Sequence, residues 1–172
     1  MPNLNPFVIN TSGLKTGTHK FDFNIDNKFF EGFDYFDFKS AELKTKLTLE
    51  KKETILNLTF ETKGNIKVPC DLSMEVFEMF SLSSFSLVVK YGEMYNDESD
   101  EILILPHNSN QIDISQYIYE MVVLSVPYKK IHPGIKDGSL KSDILEKLKL
   151  FQPKEKKQLE HDSRWNKLKD LL

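Results

Sequence analysis

A single cysteine, Cys70, stands in a chain of 172 residues, so neither an internal disulfide framework nor a four-thiolate metal site can form. Arginine is almost missing too: Arg164 is the one arginine among 23 basic residues. Lysines supply point charges, whereas bidentate reading of base edges usually uses arginine, so any nucleic-acid contact is expected mainly on the backbone. Long apolar runs are lacking. Ile102–Leu105 and Met121–Leu124 fall far short of a membrane span. No lysine or arginine precedes Lys15, and residues 1–11 hold no apolar block, so no secretory signal is read and a cytoplasmic protein is expected. There is no GxSxG, HExxH, P-loop or GxGxxG, and no internal repeat or low-complexity tract.

What the chain does contain is a soluble, globular composition, 40% hydrophobic and 28% charged, in a length that fits one domain with a short appendage. The net charge of −3 hides an asymmetry. Residues 1–127 carry 11 Lys+Arg against 19 Asp+Glu, whereas residues 128–172 carry 12 against 7. An acidic body with a basic tail points to partners that are themselves charged.

Period-two alternation dominates the body. Phe21, Phe23 and Ile25 alternate with Lys20, Asp22 and Asn24; Leu43, Leu47 and Leu49 face away from Glu42, Lys44, Lys46 and Glu50, with Thr45 on the apolar side. A polar tip at 50–53 leads to Leu56, Leu58 and Phe60, and a second tip, Lys63-Gly64-Asn65, is expected to turn the chain into Ile66 and Val68. Phe85, Leu87 and Val89 continue the pattern, and 74–80 reads as strand of ambiguous period. Strands with one wet face and short polar turns make an antiparallel meander, so the expected class is α+β, a mainly antiparallel sheet or partly closed barrel with a few short helices.

The spacing predicts a helix near 114–126, capped by Asp113 with Gln116 three positions on, and burying Ile114, Tyr117, Ile118, Met121 and Val122. Asn27 to Phe33 could form one or two turns that bury Phe29, Phe30 and Phe33, and Asp162 or Ser163 could cap a C-terminal helix over 162–172. The expected organisation is a body over 1–127, a lysine-rich, mobile or weakly helical arm over 128–161, and that terminal helix.

Chemistry is sparse. His19, His107, His132 and His161 are scattered and read as ordinary surface or loop residues, and no nucleophile, base or cofactor site can be named. The acidic run 97–101 lacks the glycine and the spaced glutamate of an EF-hand, so a solvated loop is expected. The phenylalanines between Phe21 and Phe38 could stack on bases, but at strand spacing they read as core. No membrane contact, cofactor, metal or small-molecule substrate is expected, and the protein reads as a non-enzyme.

Two segments rise above this background: Gly64-Asn65-Ile66-Lys67-Val68-Pro69-Cys70, and Asp162-Ser163-Arg164-Trp165-Asn166-Lys167-Leu168. Together with Phe7-Val8-Ile9, the Leu14–Gly17 turn and Val126-Pro127, their order resembles the YceD family, named for accumulation of large-subunit ribosomal RNA. The resemblance implies a small β protein of ribosome biogenesis without known catalysis. It also implies a zinc site where members carry two cysteine pairs. This chain is a lineage lacking most of those cysteines: Cys70 remains, Ser73 takes the second place, and the later cluster offers His132. Two ligands cannot close a tetrahedral zinc site, so no metal is expected, and Cys70 reads as a small buried hydrophobe.

The expected function is therefore an accessory factor for accumulation of large-subunit rRNA. Lys129, Lys130, Lys154, Lys156 and Lys157 of the arm would neutralise RNA phosphates, with Arg164, Trp165 and Lys167 as further binding candidates. The partner is rRNA or a ribosomal or RNA-processing protein. The alternative is a protein-interaction adaptor that uses its acidic face and touches no RNA.

Overall fold

The structure is a computed structural model, and it describes residues 6–99, 101–140 and 142–151. They fall into two units divided after Pro133. In the first unit the elements run β1 (Val8–Asn10), β2 (Gly17–Ile25), α1 (Asn27–Glu31), β3 (Ser40–Lys51), β4 (Ile55–Pro69), β5 (Val76–Gly92), β6 (Asn96–Ser99), β7 (Ile102–Pro106), β8 (Gln111–Asp113) and α2 (Ser115–Ser125). Six strands make one sheet in the order β2-β3-β4-β5-β7-β6, while β1 and β8 pair separately. β2 to β5 form the expected antiparallel meander; β7 then adds parallel to β5, and β6 closes the far edge antiparallel to β7. The edge strands β2 and β6 do not pair with each other, so the sheet is open rather than a partly closed barrel.

Alternation explains why these segments pair in this register. Leu47, Leu49, Leu56, Leu58, Phe60, Leu87 and Val89 all fall on one face and are almost wholly buried. Slipping any strand by one residue would turn its apolar set into water. Thr45 sits among them as expected, and its hydroxyl lies 2.7 Å from that of Thr62 on β4, so neither oxygen is stranded in the core. α2 covers part of this inner face with Ile118, Met121 and Val122, and Ile114 is buried just before it. A hydroxyl pair, Ser81 on β5 and Ser125 at the end of α2, fixes the contact at 2.8 Å.

Three local expectations are corrected. Lys63-Gly64-Asn65 is no turn: β4 runs straight through it, with Gly64 opposite Leu43. The glycine is there because β3 crowds it. A Cβ would stand 2.2 Å from the Glu42 carbonyl oxygen, and φ is +156°. Asp113 does not form the capping box; its Oδ1 accepts from the Ser115 N–H and hydroxyl, while Gln116 donates to Glu120. The acidic run does not begin as a loop, since Asn96–Ser99 is the edge strand β6. Residues 128–133, the start of the stretch read as an arm, fall in the first unit.

Phe23, Phe29, Phe30, Phe33 and Phe38 join an aromatic cluster rather than a platform. Asp26 caps α1 by accepting from the Phe29 N–H at 3.3 Å. The short helix delivers Phe30 to the core, edge-on to Phe38 at 4.9 Å, and Phe33 stacks on Tyr119 of α2 at 4.4 Å. Phe29 and Phe33 are half-buried, and Phe36 is exposed. Lys51, at the end of β3, donates to the carbonyls of Thr11 and Leu14 and so ties down the N-terminal turn.

The second unit holds two short helices in the stretch read as an arm, α3 (Pro133–Lys136), which begins on the last residue of the first unit, and α4 (Asp143–Phe151). Asp143 and Glu146 fall in the first turn of α4, where the helix dipole favours negative charge. The expected terminal helix over 162–172 lies outside the described residues.

Candidate functional site

β4 ends at Pro69 because proline cannot donate to the ladder, and the chain reverses through residues 70–75 into β5. The Cys70 N–H donates to the Glu75 carbonyl, the Met74 N–H donates back to the Cys70 carbonyl, and Met74 takes a positive φ of 61°. Residues 130–132 lie against this turn. Asp71 donates its N–H to the Lys130 carbonyl at 2.8 Å, the Lys130 N–H donates to Asp71 Oδ2 at 2.6 Å, and the Lys130 ammonium stands 3.9 Å from Oδ1. The sulfur of Cys70 is wholly buried, yet it accepts from the N–H groups of Leu72 at 3.5 Å and His132 at 3.3 Å. Burial, the largest influence, pushes the thiol pKa up. Hydrogen bonds from Ser73, His132 and Leu72 together outweigh it and hold the thiol below its ordinary value.

The two places where the family resemblance implied cysteine clusters thus meet in space. Their donors do not fit zinc. Cys70 and His132 are two ligands, and the Ser73 hydroxyl instead accepts from the Glu75 N–H at 3.4 Å. Among the described residues no three His, Cys, Asp or Glu side chains gather around a metal position. Hydrogen bonds and one ion pair close the corner, and Cys70 serves as an acceptor as well as a packed side chain.

Of the expected binding residues, Lys129 is exposed beside the fully exposed Tyr128, whereas Lys130 is half-buried and engaged with Asp71. Lys154, Lys156, Lys157, Arg164, Trp165 and Lys167 lie outside the described residues. His19 Nε2 is 2.8 Å from the Lys15 carbonyl, and His107 is exposed.

Sequence reasoning missed a lysine group on the outer face of the sheet. The register sets Lys44 of β3 directly opposite Lys63 of β4, with Lys46 opposite Glu61. On β5, Leu82 stands opposite Lys63 and Phe80 opposite Asn65, and both are about two-thirds exposed, at 71% and 64%. Lys44, Lys46, Lys63 and Leu82 line a shallow hollow of about 460 Å³. Among the described residues none of these lysines makes an ion pair. Alternation had already put Lys44 and Lys46 on the wet face; assigning Lys63 to a turn hid the third member.

The inner face carries a different feature. Between β5, β6, β8 and α2 opens a cleft of about 1020 Å³, floored by Phe85 and walled by Tyr117. The two rings stack at 6.2 Å and 13°. Asp97, Asp113 and Glu120 also line it.

An open, mainly antiparallel sheet with one helix on its inner face defines a small α+β protein. The sequence pattern of the family described as "Large ribosomal RNA subunit accumulation protein YceD" matches residues 58–172, about two thirds of the chain, and the chain belongs to that family. The match takes in most of β4, β5, the Cys70 corner, the later part of the first unit, the second unit and the C-terminal motif, while Phe7-Val8-Ile9 and the Leu14–Gly17 turn lie outside it. No curated protein and no solved structure matches the chain.

Proposed function

We propose that this protein is a non-enzymatic accessory factor of ribosome biogenesis that supports accumulation of large-subunit rRNA by contacting the RNA directly. Family membership over residues 58–172 carries the reading. The family's description gives the role; the manner of action is inferred from the surface.

The outer-face lysines supply the contact. Two like charges set opposite each other on neighbouring strands repel, and a phosphate seated between Lys44 and Lys63 would relieve that repulsion. Phe80 and Leu82 offer exposed apolar area beside them, so a base can stack where its phosphate is held. Lys129 extends the same kind of contact, and the arm lysines and Arg164 would add to it. Lysine chemistry without arginine forks favours backbone over base edges, so binding tracks strand and structure more than sequence. The cytoplasm is the compartment this role requires. Among the described residues no helix is long and apolar enough to cross a membrane.

The test is complementation. Cells depleted of the protein should show a selective fall in large- relative to small-subunit rRNA. The wild-type chain should restore the ratio, and K44E/K63E should not. In vitro, the log–log salt slope for a large-subunit precursor fragment should flatten by about 0.7 for each phosphate contact removed. An unchanged rRNA ratio on depletion would overturn the role, and a salt-independent affinity would overturn direct contact.

A further inference from the structure

The inner cleft has aromatic walls, a carboxylate rim and, among the described residues, no cation. Phe85 and Tyr117 line its depth, and Leu124, 82% exposed, stands at its mouth with Tyr95. Asp97, Asp113 and Glu120 contribute the charge, and no lysine, arginine or histidine is among the lining residues. Each carboxylate has a neutral donor only. Tyr95 Oη donates to Asp97 at 2.9 Å, Ser115 to Asp113 at 2.6 and 2.9 Å, and Gln116 to Glu120 at 2.5 Å. Among the described residues no ion pair involves any of the three.

Two further observations bear on the depth of the cleft. Burial first, then the neighbours Tyr95, Asp97 and Glu120, push the Tyr117 phenol up to about 12. The Ser83 hydroxyl, on the sheet side of the cleft, is buried with no hydrogen-bond partner among the described residues.

These features discriminate among ligands. Nucleic acid is repelled by a rim of three carboxylates with no cation beside them. A neutral apolar molecule would bury those carboxylates without compensation. A single metal ion would leave the aromatic walls unused, and no three acidic groups converge on one point among the described residues. A lysine or arginine side chain satisfies both halves. Its methylene stem packs on ring and leucine surface, and its cationic head reaches the rim carboxylates or lies over a ring face. At about 1020 Å³ the cleft admits several such side chains with their backbone, whose carbonyls could accept from Ser83.

We propose that the cleft between α2, β5 and β6 docks an extended lysine- and arginine-rich segment of a partner protein. The assignment differs from the proposed RNA contact at the outer-face lysines, although the two hollows share Leu82, Ser83 and Ser84 along β5.

The experiment is fluorescence anisotropy of the full chain with a labelled peptide alternating arginine, lysine and glycine, and with its glutamine-for-cation counterpart. The cationic peptide should bind and its neutral counterpart should not. D97N/E120Q should weaken binding by about tenfold or more, because both residues are exposed and hold the rim charge. E42Q/E61Q removes the same charge from the outer face and should change affinity by less than about twofold. Thermal unfolding of each variant guards against loss of fold. Equal losses from both double variants would reduce the effect to diffuse attraction and overturn the proposal, as would equal binding of the neutral peptide or no binding by the wild type. A large-subunit rRNA fragment, run in parallel, separates the two ideas. If RNA fails to bind while the peptide binds with the stated pattern, the cleft stands and direct RNA contact falls.

Discussion

The two faces of the sheet are built from the same strands and do different things with charge. On the inner face most alternate residues of β3, β4 and β5 are apolar, and where α2 leaves that face uncovered a cleft opens with three carboxylates and, among the described residues, no cation. One residue away along β3 and β4, the outer face sets Lys44 against Lys63. Counted along the chain, the charge divides into an acidic body and a basic tail. In space, the body divides charge a second way: the cleft gathers three carboxylates with no cation among the described residues, while the outer face sets its lysines among carboxylates such as Glu42 and Glu61. A running tally cannot see it, because the strand repeat sends neighbouring residues to opposite faces.

The comparison requires an unbroken β4, and the harshest way to break it is at Gly64. A side chain there would drive into the Glu42 carbonyl and the Leu43 Cα of β3 from a backbone conformation that favours glycine. G64V should lower stability by about 3 kcal/mol, since the close neighbours are backbone and cannot swing aside. Gly13 has nothing within 4 Å of its would-be Cβ, so G13A should stay within about 0.5 kcal/mol of wild type. Urea unfolding of the pair reads both. Equal midpoints would mean that β3 and β4 are not packed as described.

A finer probe of the inner face is its buried hydroxyl pair. T45V alone strands the Thr62 hydroxyl in the core and should cost about 1–3 kcal/mol. T45V/T62V removes both polar groups at nearly constant shape and should recover most of that loss. The double-mutant cycle therefore predicts strong coupling, and additive losses would show that the hydroxyls do not meet.

How much of this could be read from the residues follows the physics of each element. The meander was legible because alternation is a local property: Phe21 to Ile25, Leu43 to Leu49 and Leu56 to Phe60 each announce a buried face. The face of α2 was legible for the same reason at helical spacing. Gly64 misled, because glycine serves both turns and close backbone approach, and only the pairing of β3 with β4 tells which. The parallel addition of β7 to β5 is a long-range choice with no local mark. The Cys70 corner was half legible. Its two segments could be named from the family resemblance, but their joining through Asp71 and Lys130 is a tertiary fact. The cleft was invisible, since Asp97, Asp113 and Glu120 come from three separate elements.

Alkali should act on the cleft through Tyr117, as it does on the aromatic cluster through Tyr35, whose phenol burial also pushes up. Tyr117 keeps its proton to about 12 in the folded state, against an ordinary value near 10. The stabilisation from its neutral form is complete below pH 10. Between 10 and 12 the unfolded chain binds fewer protons than the folded one, so stability falls as pH rises. Y117F keeps the ring against Phe85 and removes the ionising group, so its urea midpoint should decline less across that window. Parallel declines in the two proteins would place the phenol outside the shielded, negative environment.

The smallest effect belongs to the outer face, and its sign is what matters. Lys44 stands opposite Lys63, so K44A removes a repulsion and should raise stability by about 0.2–1 kcal/mol. If the pair exists to hold a phosphate, the same substitution should weaken RNA binding and flatten its salt dependence by about 0.7 in log–log slope. A residue kept for folding would lose stability when replaced. A residue kept against folding, for a ligand that supplies the missing negative charge, gains stability and loses affinity. K44A with both quantities unchanged would make the lysines ordinary solvated side chains. Opposite changes in the two would mark the outer face as a surface shaped for an anion rather than for the fold.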